Sequence, residues 1–478
     1  MKRYIYKLLF FLVCVPSLSA FENRYSQSFM FTRPGFFNIE AQQAGWHTYA
    51  FGQDCTSNAL QIIAYGQHTI KHRRNVTYFF IDGKTDMTVK GDDAINSNAT
   101  NRDIRAEWLG LPSDFDGSFT MKPKQKQQGA IIDYKLGLKN VLKWCFFKNM
   151  WIGFTTNYNE VKNNIHFAQS IAETYTTNPG TIQQALTQES WEFGKFNDTT
   201  ESCGLGETRF TFGTRFIDYP DWQFDFSTFI SIPGEGSNCP TNIFEAYRGF
   251  NGHYGWGNQV NIQMPVSPCN SEALVTVFLD AVSVFLFERD QFRSVDLCNK
   301  PWSRYVQVNK TNGLVNLPGI NALTPKCKVH AYNLVNAATG IRITYRCLDA
   351  ELSYGCWTHG DERLQLKHKW KEEYGIAGTG STTLSPDNVQ VGNTASASTI
   401  RFQADNDATF TPITANDLDL KSGAARATIS QIFQGTVGIA GKGKRVNAFA
   451  YVGGLFEYAH KNCTLSNWGW WAKVGAAF

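Results

Sequence analysis

The sequence predicts an all-β chain closed into a transmembrane antiparallel β-barrel of about 14 strands, with roughly 12 to 16 as the range its periodicity allows. Three observations predict it. The last residues alternate: Trp468, Trp470, Ala472, Val474, Ala476 and Phe478 form an apolar row against Asn467, Gly469, Trp471, Lys473, Gly475 and Ala477. No stretch approaches the run of about 18 apolar residues that a spanning helix needs, so a membrane-crossing chain of this kind crosses with strands. The long connections between strand-like segments all fall on one parity.

The strands follow in order, beginning with Ala59 to His68, Ile104 to Leu111 and Gly117 to Pro123. From Ala130 onward, Ile132, Tyr134, Leu136 and Leu138 oppose Asp133, Lys135, Gly137 and Lys139, a row of hydrophobes against a row of ions. Such a strand suits a barrel with a wet lumen and a greasy exterior. Trp151 to Val161 alternates more weakly. Phe210, Phe212 and Phe216 then oppose Glu207, Arg209, Thr211 and Arg215, and after the tight 218–221 turn Trp222, Phe224, Phe226, Ile230 and Ile232 oppose Gln223, Asp225, Ser227 and Ser231. His253 to Met264 and Val275 to Phe287 are mixed. Ile341 to Arg346, Asp349 to Cys356, Ala427 to Gly438, Ala448 to Tyr458 and the terminal strand complete the series. Working back from Phe478, the connections 459–466, 364–424, 288–330, 233–250 and 162–204 share one end, and 439–444, 346–348, 265–272 and 218–221 share the other.

Composition agrees. There are 36 Phe, 19 Tyr and 13 Trp, and 40 Gly against 15 Pro, which fits aromatic girdles and glycine-containing strands. The net charge of +4 is dispersed, and the densest basic clusters, Lys71-His72-Arg73-Arg74 and Lys122 to Lys126, read as solvated loop charges. A nucleic-acid partner is not indicated. Met1 to Ala20, with Lys2, Arg3 and Lys7 before the apolar Leu8 to Val15 and small residues at Ser17, Ser19 and Ala20, reads as a secretory signal peptide.

A final strand that ends on Phe478, with apolar residues at alternate positions before it, resembles the assembly signal of Gram-negative outer-membrane β-barrel proteins, here carried by Trp468, Trp470 and Phe478. The chain as a whole resembles porins in general and matches no specific family closely. The resemblance implies a bacterial outer-membrane location, short periplasmic turns, long extracellular loops, and outer-membrane lipid, the barrel-assembly machinery and small solutes as partners, with a homo-oligomer left open. Residues 21–57, which carry Pro34-Gly35 and unpatterned aromatics, are then a periplasmic N-terminal segment or a plug, and 58–478 is the barrel.

Pore-lining candidates are Asp133, Lys135, Lys139, Glu207, Arg209, Arg215, Asp225, Arg342 and Glu351. Their mixed signs predict weak ion selectivity, and cross-strand pairing into structural ladders is the alternative. By resemblance to porins, the loop 162–204 folds inward as a constriction through Glu173, Glu189 and Glu192; a surface loop packed on its neighbours is the alternative.

Catalysis finds little support. The chain has no G-x-S-x-G, H-E-x-x-H, P-loop or EF-hand pattern, so no enzyme, cofactor or metal is expected. His359, Asp361, Glu362 and His368 cluster where a strand runs into a long loop, and Asp405-Asn406-Asp407 lacks further ligand spacing. Ten cysteines remain beyond the signal segment, an even count that suggests disulfides behind a signal peptide. Placed by the topology, Cys298 with Cys327 and Cys203 with Cys239 are the preferred bridges. Intermolecular bonds, as in the cysteine-rich major porins of some intracellular bacteria that this pattern resembles, and free thiols are the alternatives.

The expected function is passive diffusion of small hydrophilic solutes through the bore. Its rivals are a hydrophobic-substrate transporter with an N-terminal plug, marked by an apolar pocket beneath residues 21–57, and a surface adhesin or antigen anchored by the barrel.

Overall fold

The computed structural model describes residues 23–46, 58–71, 74–94, 102–142, 149–219, 222–236, 239–268, 271–310, 316–377, 389–390, 399–402, 412–443 and 446–478. The segment expected to be a signal peptide (1–20), Cys55, Cys145, Cys269 and Asp405-Asn406-Asp407 lie outside them.

Twelve antiparallel strands close into one barrel. They are β1 (Ala59–Lys71), β2 (Lys124–Gly137), β3 (Met150–Asn164), β4 (Thr199–Tyr219), β5 (Trp222–Pro233), β6 (Gly255–Pro265), β7 (Ala273–Leu286), β8 (Asn333–Tyr345), β9 (Leu348–His359), β10 (Thr428–Lys442), β11 (Asn447–Ala459) and β12 (Ser466–Ala477). Each pairs with its sequence neighbours. β1 closes the ring by pairing with both β2 and β12, from Ala59 opposite Ala477 to Thr69 opposite Asn467. Closure leaves no free sheet edge.

The wall follows the period-2 pattern. Phe210, Phe212 and Phe216 stand on the outer surface while Arg209 and Arg215 beside them are buried, and Leu352, 74% exposed, follows the 2%-exposed Glu351. An outward apolar face on every strand has no counterpart in a soluble sheet, whose apolar side turns to the core. No described helix is long and apolar enough to cross a membrane.

The barrel has 12 strands where about 14 were expected. The two extra segments belong to a cap. Ile104–Arg105 is a two-residue strand followed by a short 3-10 turn, and Asp116–Thr120 pairs with Asp86–Lys90 and Ala168–Ile171 outside the barrel. Their apolar residues Ile104, Trp108, Leu109 and Phe119 are buried in a core that excludes the barrel wall. Periodicity alone does not separate a barrel strand from a strand of a small packed sheet.

Every connection at one end of the barrel enters that cap: 72–123, 165–198, 234–254, 287–332, 360–427 and 460–465. Each contributes to one apolar cluster, through Phe79, Leu186, Phe244, Trp302, Ile413 and Leu465 respectively. Trp302 lies at its centre, 1% exposed, with Phe80, Phe196 and Tyr305 packed within 4.9 to 5.9 Å between ring centres. At the other end the connections are 138–149, 220–221, 266–272, 346–347 and 443–446.

Candidate functional site: the occupied bore

The barrel interior is lined by the inward row of each strand, in part polar (Gln61, Gln127, Arg209, Glu457) and in part apolar (Ile63, Ile131, Phe229, Trp357, Phe449, Trp471). The N-terminal segment runs through it from the cap to the short-turn end, with Phe31, Phe36, Phe37, Ile39 and Trp46 packed in the same apolar cluster. Its first described residues are fixed in the cap. The Ser26 and Gln27 amides donate to the Phe80 and Tyr78 carbonyls at 3.1 and 2.9 Å, and the Asn462 side chain brackets the Arg24 backbone. At the far end Trp46 packs edge-on to Phe449, two residues into β11. Residues 23–28 therefore sit at the opposite end of the bore from Asn58, whose backbone pairs with Phe478.

Between these ends the segment is held by side chains of the wall. The buried Arg33 guanidinium donates to Glu457 at 3.0 Å and to Gln67 at 2.7 Å. Gln127 accepts from the Gly35 amide at 2.6 Å and donates to the Arg33 carbonyl at 3.0 Å, clamping the Pro34-Gly35 turn. Asn336 donates to the Phe37 carbonyl at 2.6 Å, a group the turn leaves without a helical partner. A short helix α1 (Ile39–Gln43) follows, its N-terminus capped by Asn38, whose amide is exchanged with that of Gln434 at 2.9 and 3.2 Å. The Thr436 hydroxyl donates to Glu40 at 3.1 Å. Lys473 donates to the Ala41 and Gln42 carbonyls at the helix C-terminus, at 3.0 and 3.3 Å, where a cation meets the negative end of the peptide dipoles. Just past the C-cap of α1, Gly45 has φ +67°; a Cβ there would meet the Tyr451 ring at 2.2 Å, so both conformation and space require glycine.

The sequence-predicted wall residues are distributed as follows. Asp133, Lys135, Glu207, Arg209, Arg215, Asp225, Arg342 and Glu351 face inward, and most of them are tied locally. Arg215 pairs with Asp225 at 2.7 Å, Arg342 with Glu351 at 2.6 Å, and Arg209 with Glu207 at 2.5 Å. Arg209 also lies over the Phe229 ring, 4.8 Å from its centre, and Asp133 accepts from Gln61 and Thr155. Lys135 lies over Trp151. Apart from Arg209 with Glu207, which are two residues apart on β4, these are cross-strand ladders within the wall rather than a ring of one sign. Lys139 is not among them: β2 ends at Gly137, and Lys139 is exposed on the Leu138–Leu142 helix at the short-turn end.

Glu173, Glu189 and Glu192 do not enter the bore. All three are exposed, because the 165–198 connection folds outward and spends its apolar residues Ile182, Leu186, Trp191 and Phe196 on the cap core. The place a constriction loop would take is filled by residues 29–46. The described residues 29–46 of this segment lie inside the bore, and residues 23–28 lie in the cap.

Cys203, Cys239, Cys298 and Cys327 are free thiols. Cys327 is buried in a small sheet between Gln291 and Leu366, and its thiol is pushed up to about 11 by burial. Cys298 is exposed on the cap with its thiol against the Asn416 carbonyl, so the two preferred partners lie in different surroundings.

Arg33, Glu457, Lys473, Gln127, Asn336 and Gln434 carry the arrangement and were not singled out from sequence. Lys473 and Glu457 had a signal, as polar residues on the inward parity of β12 and β11; Arg33, in an unpatterned segment, had none. His359, Asp361, Glu362 and His368 do not converge. Glu362 pairs with buried Arg293 at 3.2 Å and His359 stacks on Tyr332, while His368 is exposed. No group of three metal-ligating side chains occurs among the described residues.

Beside the segment the cavities are small, about 40 Å³ next to Trp46 and Lys135 and about 10 Å³ next to Tyr65 and Trp471. The first has room for a few water molecules and no solute. A concavity of about 790 Å³ lies instead on the outer wall, among the outward side chains Ile62, Ile343, Val437, Val452 and Val474.

A closed antiparallel barrel with an apolar exterior, a polar interior and long connections at one end has the architecture of outer-membrane β-barrels. No family model matches the chain, and no curated protein matches it. Solved structures similar to it include an outer membrane channel from Pseudomonas putida (8% identical, covering 88% of this chain and 96% of that one, TM-score 0.37) and the β-domain of the Bordetella autotransporter BrkA (8% identical, 88% and 99%, TM-score 0.33). A third is the Pseudomonas putida toluene transporter TodX (10% identical, 96% and 98%, TM-score 0.27). At these scores the likeness decides nothing about substrate or mechanism.

Proposed function

We propose that the chain is a bacterial outer-membrane channel for small hydrophilic solutes whose bore is gated by its own N-terminal segment. The observation that carries the reading is the chemistry of the wall. The inward amides, carboxylates and cations hold the segment, but only part of that polar face is used by it. Gln61 Oε1, both amide atoms of Asn159, Gln263 Nε2 and Glu457 Oε1 are buried with no partner among the described residues. Each such group costs about 1–3 kcal/mol when it is left without a hydrogen bond, a cost that water in an open bore would remove. Mixed ion pairs along the wall favour weak charge selectivity.

The cavity next to Trp46 is lined by Asp133, Lys135 and Arg209, which favours a hydrophilic solute there, whereas the smaller one next to Tyr65 is lined mainly by apolar side chains. The mechanism requires no bond chemistry: displacement of residues 29–46 exposes the polar rows, and the cap sets access at the mouth. Trp468, Trp470 and Phe478, outward on the closing strand, keep the assembly-signal role in this reading. A second reading, a surface antigen or adhesin displayed on a closed barrel, is favoured by one observation, the single apolar core shared by all six cap connections.

Planar-bilayer recording separates the two. The full chain is expected to show rare openings, and a variant lacking residues 23–46 frequent, larger conductance steps. A deletion variant that keeps heat-modifiable migration on gels, and is therefore a folded barrel, but conducts no more than the full chain would overturn the channel reading.

A further inference from the structure

We propose that the outer wall of β2 and β3, at the cap end, binds the phosphorylated headgroup of an outer-leaflet lipid. Lys122, Lys124 and Lys126 occupy alternate positions and all three are exposed, while Gln125 between the last two and Gln127 after them face the bore. At about 3.4 Å per residue Lys124 and Lys126 of β2 stand about 7 Å apart along the strand, and Lys122 lies just before it. Lys126 stands directly opposite Lys162 of β3, itself half exposed. Like charges directly opposite each other destabilise a sheet, so this pairing needs an anion to offset it.

The protein does not supply enough. Lys124 and Lys126 have no side-chain ion pair or hydrogen bond among the described residues. Lys162 meets Glu201 only at 3.5 Å with both side chains 48% exposed, and the remaining nearby carboxylate, Glu160, is held by Gln128 at 2.7 Å.

The height on the wall selects a lipid. Along β2 and β3 the outward rungs read Tyr134 with Phe154, Ile132 with Thr156, Ala130 with Tyr158, Gln128 with Glu160 and then Lys126 with Lys162, so the apolar band gives way through a tyrosine and a polar rung to the cations. Tyrosine marks the membrane interface and the flexible lysines above it reach the phosphate level. Beside them on β1, His68 faces Lys126 and stacks on Trp468 of β12 at 5.2 Å.

The inference rests on the outer-membrane reading with the cap outward. The test is native mass spectrometry of the detergent-solubilised full chain with a bisphosphorylated glucosamine lipid, its dephosphorylated form and phosphatidylcholine. The full chain is expected to retain the bisphosphorylated lipid at least about tenfold better than either other lipid. Lys124→Gln, Lys126→Gln and Lys162→Gln together should abolish that preference, while Lys84→Gln and Lys328→Gln in the cap leave it intact. Equal retention of all three lipids, an unchanged preference in the triple variant, or displacement by millimolar inorganic phosphate alone would overturn the site. Fractionation of the triple variant with the outer membrane and its heat-modifiable migration keep that failure distinct from failure of the outer-membrane reading.

Discussion

The cap and the bore bury their residues by different rules. The cap turns aromatic and aliphatic side chains inward, as a soluble domain does, and its stability comes from non-directional apolar burial. The bore also packs Phe31, Phe36, Phe37 and Trp46 against apolar wall residues, but it turns ions and amides inward beside them and fixes the N-terminal segment by named hydrogen bonds: Arg33 to Glu457 and Gln67, Lys473 to the end of α1, Asn38 to Gln434. An apolar core is lost by degrees as side chains are trimmed. A polar interface is lost where one partner is removed, because the buried group left behind costs about 1–3 kcal/mol and more if it is charged.

The largest way to break the comparison is Trp302→Ala. Removing this side chain from the cap core is expected to cost about 3–5 kcal/mol, and limited proteolysis should cut the 287–332 connection while the barrel keeps its heat-modifiable migration. Simultaneous loss of the barrel would show that cap and wall are one cooperative unit. Glu457→Ala acts on the bore. It strands the buried Arg33 guanidinium, an effect of about 3–5 kcal/mol on breaking a buried pair, and should raise the frequency of channel openings in planar bilayers; Glu457→Gln, which still accepts a hydrogen bond, should raise it less. Unchanged opening in the alanine variant would place the segment's hold elsewhere.

The outer wall sharpens the contrast by a third rule, apolar residues turned to lipid. Leu352→Arg is expected to destabilise the barrel in vesicles by about 2–4 kcal/mol, measured by urea unfolding, and no effect there would contradict a lipid-facing position. A smaller effect is read by thiol labelling at pH 8. Cys203 and Cys298 are exposed and should react first. Cys327 and Cys463 in the cap are pushed up to about 11 by burial, so they are almost wholly protonated at pH 8 and should react only as pH rises toward that value or the cap unfolds.

The barrel was legible because each wall strand repeats one rule. Lys473 and Glu457 already stood on the polar parity of their strands, and the ion pairs Arg215–Asp225 and Arg342–Glu351 join residues that face each other across adjacent strands. The cap was not legible, since Ile104 to Leu111 and Gly117 to Pro123 carry strand-like patterns that a small packed sheet shares. Nor was the bore's contents: Arg33 and Asn38 lie in a stretch without periodicity, and their roles come from partners hundreds of residues away. The constriction expected at Glu173, Glu189 and Glu192 failed for a related reason, because the apolar residues around them had a core to join outside the barrel.

The account's central claim, that residues 29–46 gate the bore, is tested most directly by locking them in place. Asn38→Cys and Gln434→Cys, in a chain whose other cysteines are serine, can be joined by a short reducible thiol crosslinker, because the native side chains already touch at 2.9 Å. Planar-bilayer recording should then show a silent channel while the link is intact and the return of openings on reduction. Equal conductance with the link intact and reduced would contradict the gate.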